Sequence, residues 1–158
     1  MARYAATFFG VDFEDRRLTF EEWGEAKAAG TYGAGNQLPV LVREDGTILN
    51  ESEAILDFVC HGKDHQPQTP IETYWLTWFR STHADYGKKE GFGTATFKEN
   101  ASDEEIARSV ELHQELVDKL DKVCSDGRSR FCGENITAAD FQILAAWTSF
   151  YANPNARN

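Results

Sequence analysis

Apolar positions change rhythm partway along the chain. Up to about residue 60, short elements of different kinds alternate. Residues 2–9 predict a short helix, although Tyr4, Thr7, Phe8 and Phe9 also tolerate an extended state. Residues 11–17 predict a strand with Val11, Phe13 and Asp15 on one face, and residues 20–29 a helix that stops at Gly30. A continuous apolar run over 38–42 leads into the hairpin turn Glu44-Asp45-Gly46 and a short return strand over 47–49. Ser52 then opens a helix in which Ile55, Leu56 and Val59 recur with the 3.6-residue period.

Residues 61–70 are polar, hold two prolines and lack an apolar stripe, so a linker is predicted over 61–68 between regions 1–60 and 69–158. Beyond it every signal is helical. Thr69-Pro70-Ile71-Glu72 places a threonine at N-cap, a proline at N1 and a glutamate at N3, ahead of a helix rich in Tyr74, Trp75, Trp78 and Phe79 that ends at Gly87 or Gly91. Ser102 and Glu105 repeat the capping box before an apolar stripe at 106, 110, 113, 117, 120 and 124. Thr137 and Asp140 form a third such pair, and their predicted role is structural. The pattern describes an α/β portion followed by an all-α portion.

Composition narrows the function classes. Twenty-six acidic against sixteen basic side chains leave a net charge of −10, which removes the electrostatic attraction that nucleic acid or an anionic membrane requires. With 41% hydrophobic residues the chain is too apolar for disorder, and no run approaches the ~20 apolar residues of a membrane span. Cys60, Cys124 and Cys132 make an odd count without a CxxC pair, so neither a disulfide framework nor a metal site is predicted. The amino-terminal residues do not read as a secretory signal, which points to the cytoplasm; an already processed organellar chain would read the same.

The densest chemical signal lies in Asn36-Gln37-Leu38-Pro39-Val40-Leu41-Val42 and Glu51-Ser52-Glu53-Ala54-Ile55. A proline entering an apolar strand marks either an edge position or a cis bond in a tight turn; the latter exposes the backbone groups of Leu38 to an extended peptide. Ser52 at a helix N-terminus favours a carboxylate, and Glu51 beside it suits an ammonium group, a combination matched to an amino-acid head group. Each piece alone also has a purely structural explanation, a turn and a helix cap. His113, on the apolar stripe, is expected in the core or at an interface, as are Trp75 and Trp78.

In their order along the chain these motifs resemble the glutathione-binding half of the soluble glutathione transferases: Gln-Leu-Pro-Val-Leu, an Asp-Gly hairpin, then Glu-Ser-x-Ala-Ile. The stretch from Gly10 to Trp23, with Lys27 after it, is most similar to sigma-type members, and Gly133 to Phe141 matches the family's capping box in its helical domain. The resemblance spans about residues 3–150. It implies an N-terminal thioredoxin-like portion joined to an α-helical C-terminal portion, with glutathione as ligand or co-substrate and no metal. By carry-over, Gln37 and Leu38 meet the tripeptide backbone, with Pro39 as the cis proline. Glu51 and Ser52 take the γ-glutamyl head, Trp23 and Lys27 the glycyl end, and Asp85 reaches a partner's glutathione across a dimer.

In such transferases a Tyr, Ser or Cys at the end of the first strand stabilises the glutathione thiolate. Aligned on the family, this chain starts at the first helix and stops before the last helices, so that strand and its hydroxyl are expected to be missing. Tyr4, the only early tyrosine, falls within the helix. Two readings follow. One is an enzyme that conjugates glutathione to a small electrophile, as a homodimer or a subunit of a larger complex. The other is a non-catalytic relative that serves as a scaffold or interaction subunit.

Overall fold

The computed structural model describes residues 1–33, 35–63, 66–93, 98 and 100–152, and of Tyr151 the backbone alone. The predicted 61–68 linker and 69–158 region each include positions outside that set. The chain forms two compact units, Met1–Asp64 and His65–Asn158.

In the first unit, α1 (Ala2–Phe8) packs on α3 (Ser52–Cys60), and the buried side chains are Ala5 and Ala6 from the one and Ile55, Leu56 and Cys60 from the other. Between them in sequence come α2 (Phe20–Ala28) and the antiparallel pair β1 (Leu41–Val42) and β2 (Ile48–Leu49), in register Leu41 to Leu49 and Val42 to Ile48. The hairpin forms because Asp45 Oδ1 accepts the Thr47 N–H at 2.9 Å, and Gly46 takes φ +82°, a conformation in which a Cβ would be strained.

Residues 11–17 are not a strand, contrary to the sequence expectation. Among the described residues the sheet has two strands, and neither pairs with this segment. Alternation can mark a strand, but only a neighbour's N–H and C=O groups hold one in place. The segment is tied instead to α1: the Val11 N–H donates to the Ala6 carbonyl at 2.9 Å, and Arg3 Nε meets Asp15 Oδ1 at 2.5 Å. Likewise only the last two residues of the 38–42 run are paired, and residues 2–8 adopt the helical alternative.

The second unit consists of α4 (Pro70–Gly87), α5 (Asp103–Cys124) and α6 (Ala138–Ala146), which runs on into a π-helical turn, Trp147–Tyr151. Its helix starts follow the sequence signals. Glu72 closes the α4 capping box and does more. The residue is 6% exposed, and its carboxylate accepts the backbone N–H groups of Gln68 (2.7 Å) and Thr69 (3.0 Å), while Asn135 Nδ2 donates to its other oxygen at 3.3 Å. The start of α4 is thereby bound to the loop ahead of α6. Phe131 of that loop packs edge-on against Phe79 and stacks on Trp78, and the Arg128 guanidinium lies 4.4 Å over Trp75.

The buried face of α5 differs from the expected stripe. Ser109, Leu112, His113 and Leu116 are buried, whereas Val110 is 40% exposed. Ser109 is small, and its carbonyl lies 2.7 Å from His113 Nδ1, so two polar residues enter the core with their local hydrogen bond made. His113 is sandwiched between Phe92 (4.3 Å between ring centres) and Phe150 (4.9 Å).

Two predictions follow from these starts. Asp140 Oδ2 accepts the Thr137 N–H at 2.7 Å and Oδ1 the Phe131 N–H at 3.3 Å, so Asp140→Ala should destabilise the protein by about 1–2 kcal/mol in denaturant melts. The N–H donors of Gln68 and Thr69 hold the Glu72 carboxyl below its ordinary value of 4.5 against the opposing effect of desolvation. A depressed carboxylate stabilises the fold above its unfolded pKa and loses that contribution as pH falls through the folded one. Glu72→Gln should therefore cost about 1–2 kcal/mol at pH 7, and its urea midpoint should converge on that of the wild type as acidification carries the carboxyl through its lowered pKa.

Candidate functional site

Two irregular turns meet in the first unit. One carries Asn36 at φ +44°, Gln37 and the Leu38–Pro39 bond, which is cis. The other links β2 to α3 and carries Glu51 at φ +70°. Positive φ in residues with a Cβ is uncommon and clusters where chain geometry serves a ligand or a tight connection. The two turns are joined by a hydrogen bond of 2.7 Å from Gln37 Nε2 to Glu51 Oε1.

Glu51, and not Ser52, is the N-cap of α3; Ser52 is its first helical residue, and no side-chain hydrogen bond caps the helix. The cap geometry arises because Glu51 at positive φ turns the chain sharply out of β2, which leaves Ser52 to begin the helical hydrogen bonding. The consequence is chemical. The first N–H groups of α3 and the Ser52 hydroxyl lie at the positive end of the helix, a site suited to a carboxylate, with the Glu51 carboxylate next to it for an ammonium.

Trp23 and Lys27 lie one turn apart on α2, whose start is fixed by the Thr19–Glu22 capping box. The Trp23 indole is half-buried and stacks on Tyr32, with ring centres 6.2 Å apart and planes at 21°. Tyr32 in turn is linked to the β2–α3 turn, because Asn50 Nδ2 donates to its carbonyl at 3.4 Å. A continuous set of contacts thus runs from Trp23 through Tyr32 and Asn50 to Glu51 and Gln37. An open depression of about 350 Å³ also borders α2, but it is lined by Arg16, Leu18, Glu22, Ala26, Ala29 and Tyr32, with neither Trp23 nor Lys27 among its walls.

The sequence-predicted residues divide accordingly. Gln37 and Glu51 touch; Leu38, Pro39 and Ser52 adjoin them in the same two turns; Trp23 is reached through Tyr32. Asp85 lies in the second unit, on the exposed side of α4, with its carboxylate 3.3 Å from Lys88 Nζ. Tyr4 is in the middle of α1 and 40% exposed. Thr137 and Asp140 make the cap of α6, apart from these turns in sequence and in unit. Tyr32, Gly35 and Asn50 escape a motif reading because their contacts join segments 15 to 18 residues apart; two glycines close together, Gly33 and Gly35, are the one local sign of a crowded loop.

Among the described residues no cluster of three or more His, Cys, Asp or Glu side chains is placed to hold a metal ion, and no helix is long and apolar enough to cross a membrane. The second unit holds Cys124 and Cys132, whose thiols are pushed up by burial, an environment of inert rather than reactive cysteines.

No family model matches the chain. Curated proteins do. The chain is 27% identical over 143 residues to a hematopoietic prostaglandin D synthase of Gallus gallus, covering 89% of this chain and 68% of that protein. It is 28% identical over 150 residues to glutathione S-transferase 1 of Ascaris suum, covering 89% and 70%. Among solved structures, a glutathione S-transferase described as specific to the nematode C. elegans superposes with a TM-score of 0.81 at 22% identity, over 97% of this chain and 75% of that one. The homologues of this chain are sigma-class-like glutathione S-transferases and a prostaglandin D synthase, and its fold is the glutathione S-transferase fold, an incomplete thioredoxin-like portion with an all-helical one.

Proposed function

We propose that the protein binds reduced glutathione at the two joined turns of the first unit, as a glutathione transferase-type protein. The observation that carries the reading is the pairing of an uncapped helix start at Ser52 with the Glu51 carboxylate, held in place by Gln37. The γ-glutamyl end of glutathione presents an α-carboxylate and an α-ammonium on one carbon, and this site offers one partner for each. Gln37 and the backbone around Leu38 and Pro39 then meet the middle of the peptide, and Trp23 and Lys27 the glycyl carboxylate. The similarity to glutathione S-transferase 1 of Ascaris suum supports the choice of ligand.

Conjugation needs one further step. The thiol must be held as a thiolate by a hydrogen-bond donor before it attacks an electrophile. Tyr4 is the one early tyrosine, and its place inside α1 favours a second reading, in which glutathione is bound without efficient turnover and the protein serves as a scaffold or interaction subunit. Under either reading we place the protein in the cytoplasm, as a homodimer or a subunit of a larger complex. In a homodimer Asp85 is the residue offered to the neighbouring site.

Calorimetry tests the binding that both readings share. Wild type should bind reduced glutathione, and Ser52→Ala should weaken binding by about 1–3 kcal/mol, the cost of leaving a charged carboxylate one hydrogen bond short. An absence of heat with the wild-type chain removes the glutathione reading. Turnover with a generic aromatic halide then distinguishes enzyme from scaffold: robust conjugation, abolished by Tyr4→Phe, assigns the thiol-activating hydroxyl to Tyr4.

A further inference from the structure

Asn50 sits between β2 and the Glu51 cap, and its side chain does two things at once. Its amide donates to the Tyr32 carbonyl at 3.4 Å, and its body fills the space beside Gly35. A Cβ placed on Gly35 would lie 2.7 Å from Asn50 Cγ and 2.8 Å from Asn50 Cβ, inside any tolerable contact, so only glycine permits the approach. Gly33 is also close, at 3.8 Å from Asn50 Oδ1 on the same measure.

From this arrangement we infer that Asn50 is a positioning residue that sets the distance between the two ends of the glutathione site. The inference rests on the glutathione reading given above. On one side of Asn50, the Tyr32 carbonyl belongs to the residue on which Trp23 stacks, the group assigned to the glycyl end. On the other side, Glu51 and Ser52 take the γ-glutamyl end. The loop pinned at Gly35 leads within two residues to Gln37, whose amide bonds to Glu51. No group of the ligand is assigned to Asn50; its role is to fix the spacing of the side chains to which such groups are assigned. A peptide that spans both ends depends on that spacing, whereas a peptide that uses one end does not.

The dipeptide γ-glutamylcysteine, which lacks the glycyl residue, provides the comparison. In the wild-type chain glutathione should bind more tightly than γ-glutamylcysteine. In Asn50→Ala that preference should fall by about tenfold, the scale of one hydrogen bond and its orienting effect, while the affinity for the dipeptide changes little. Ser52→Ala, in contrast, should weaken both ligands alike. Asn50→Asp keeps the size and shape but sets an oxygen against the Tyr32 carbonyl, and should lose the preference as Asn50→Ala does; it serves as the test if Asn50→Ala fails to fold. Gly35→Ala, which displaces Asn50, should follow the same pattern. A wild type that binds both peptides equally, or an Asn50→Asp variant that keeps the full preference, overturns the inference and leaves glutathione binding standing. A wild type that binds neither peptide overturns both.

Discussion

The first unit depends on one contact, the packing of α1 against α3. Strands of two residues bury too little and make too few hydrogen bonds to hold a fold together. Ala5 and Ala6 are small enough to let the two helices approach, and Ile55, Leu56 and Cys60 fill the space between them. Since α3 begins at the turn that carries Glu51, the same packing that forms the core also fixes the direction in which the helix N-terminus points. The candidate site and the stability of the unit therefore share an element here.

The second unit is held together differently. Its helices start at strong capping boxes, and the carboxylate of one, Glu72, reaches outside its own helix to Asn135. Aromatic rings do the rest: Phe79 and Trp78 receive Phe131, and Phe92 and Phe150 enclose His113. Basic side chains cover the indoles from outside, Arg128 over Trp75 and Lys119 over Trp78. In a strongly acidic protein these cations are retained on ring faces as well as in ion pairs.

What the sequence revealed and what it hid follow from the range of the interactions involved. Capping boxes are made within four residues, so Thr69, Ser102 and Thr137 could be read directly. The hairpin at Asp45 and Gly46 is equally local. Residues 11–17 misled because alternation records a preference for pairing without recording whether a neighbour exists. On α5 the expected stripe followed a 4-3 spacing from Ile106 and so passed over Leu112 and Leu116 as well as Ser109, which is buried because it is small and its carbonyl is engaged by His113. At the site, Gln37, Glu51 and Ser52 stood out through their order along the chain. Asn50 did not, since its contacts to Tyr32 and Gly35 exist only once the two turns are folded together.

The stacking of Trp23 on Tyr32 has a spectroscopic meaning. Of the four tryptophans, Trp75, Trp78 and Trp147 belong to the second unit, which leaves Trp23 as the sole indole of residues 1–64. A quencher or emission shift assigned to that one fluorophore watches the Trp23–Tyr32 side of the candidate site alone. With the three indoles of the second unit replaced by phenylalanine, the protein would carry a built-in optical probe at the edge of the candidate site.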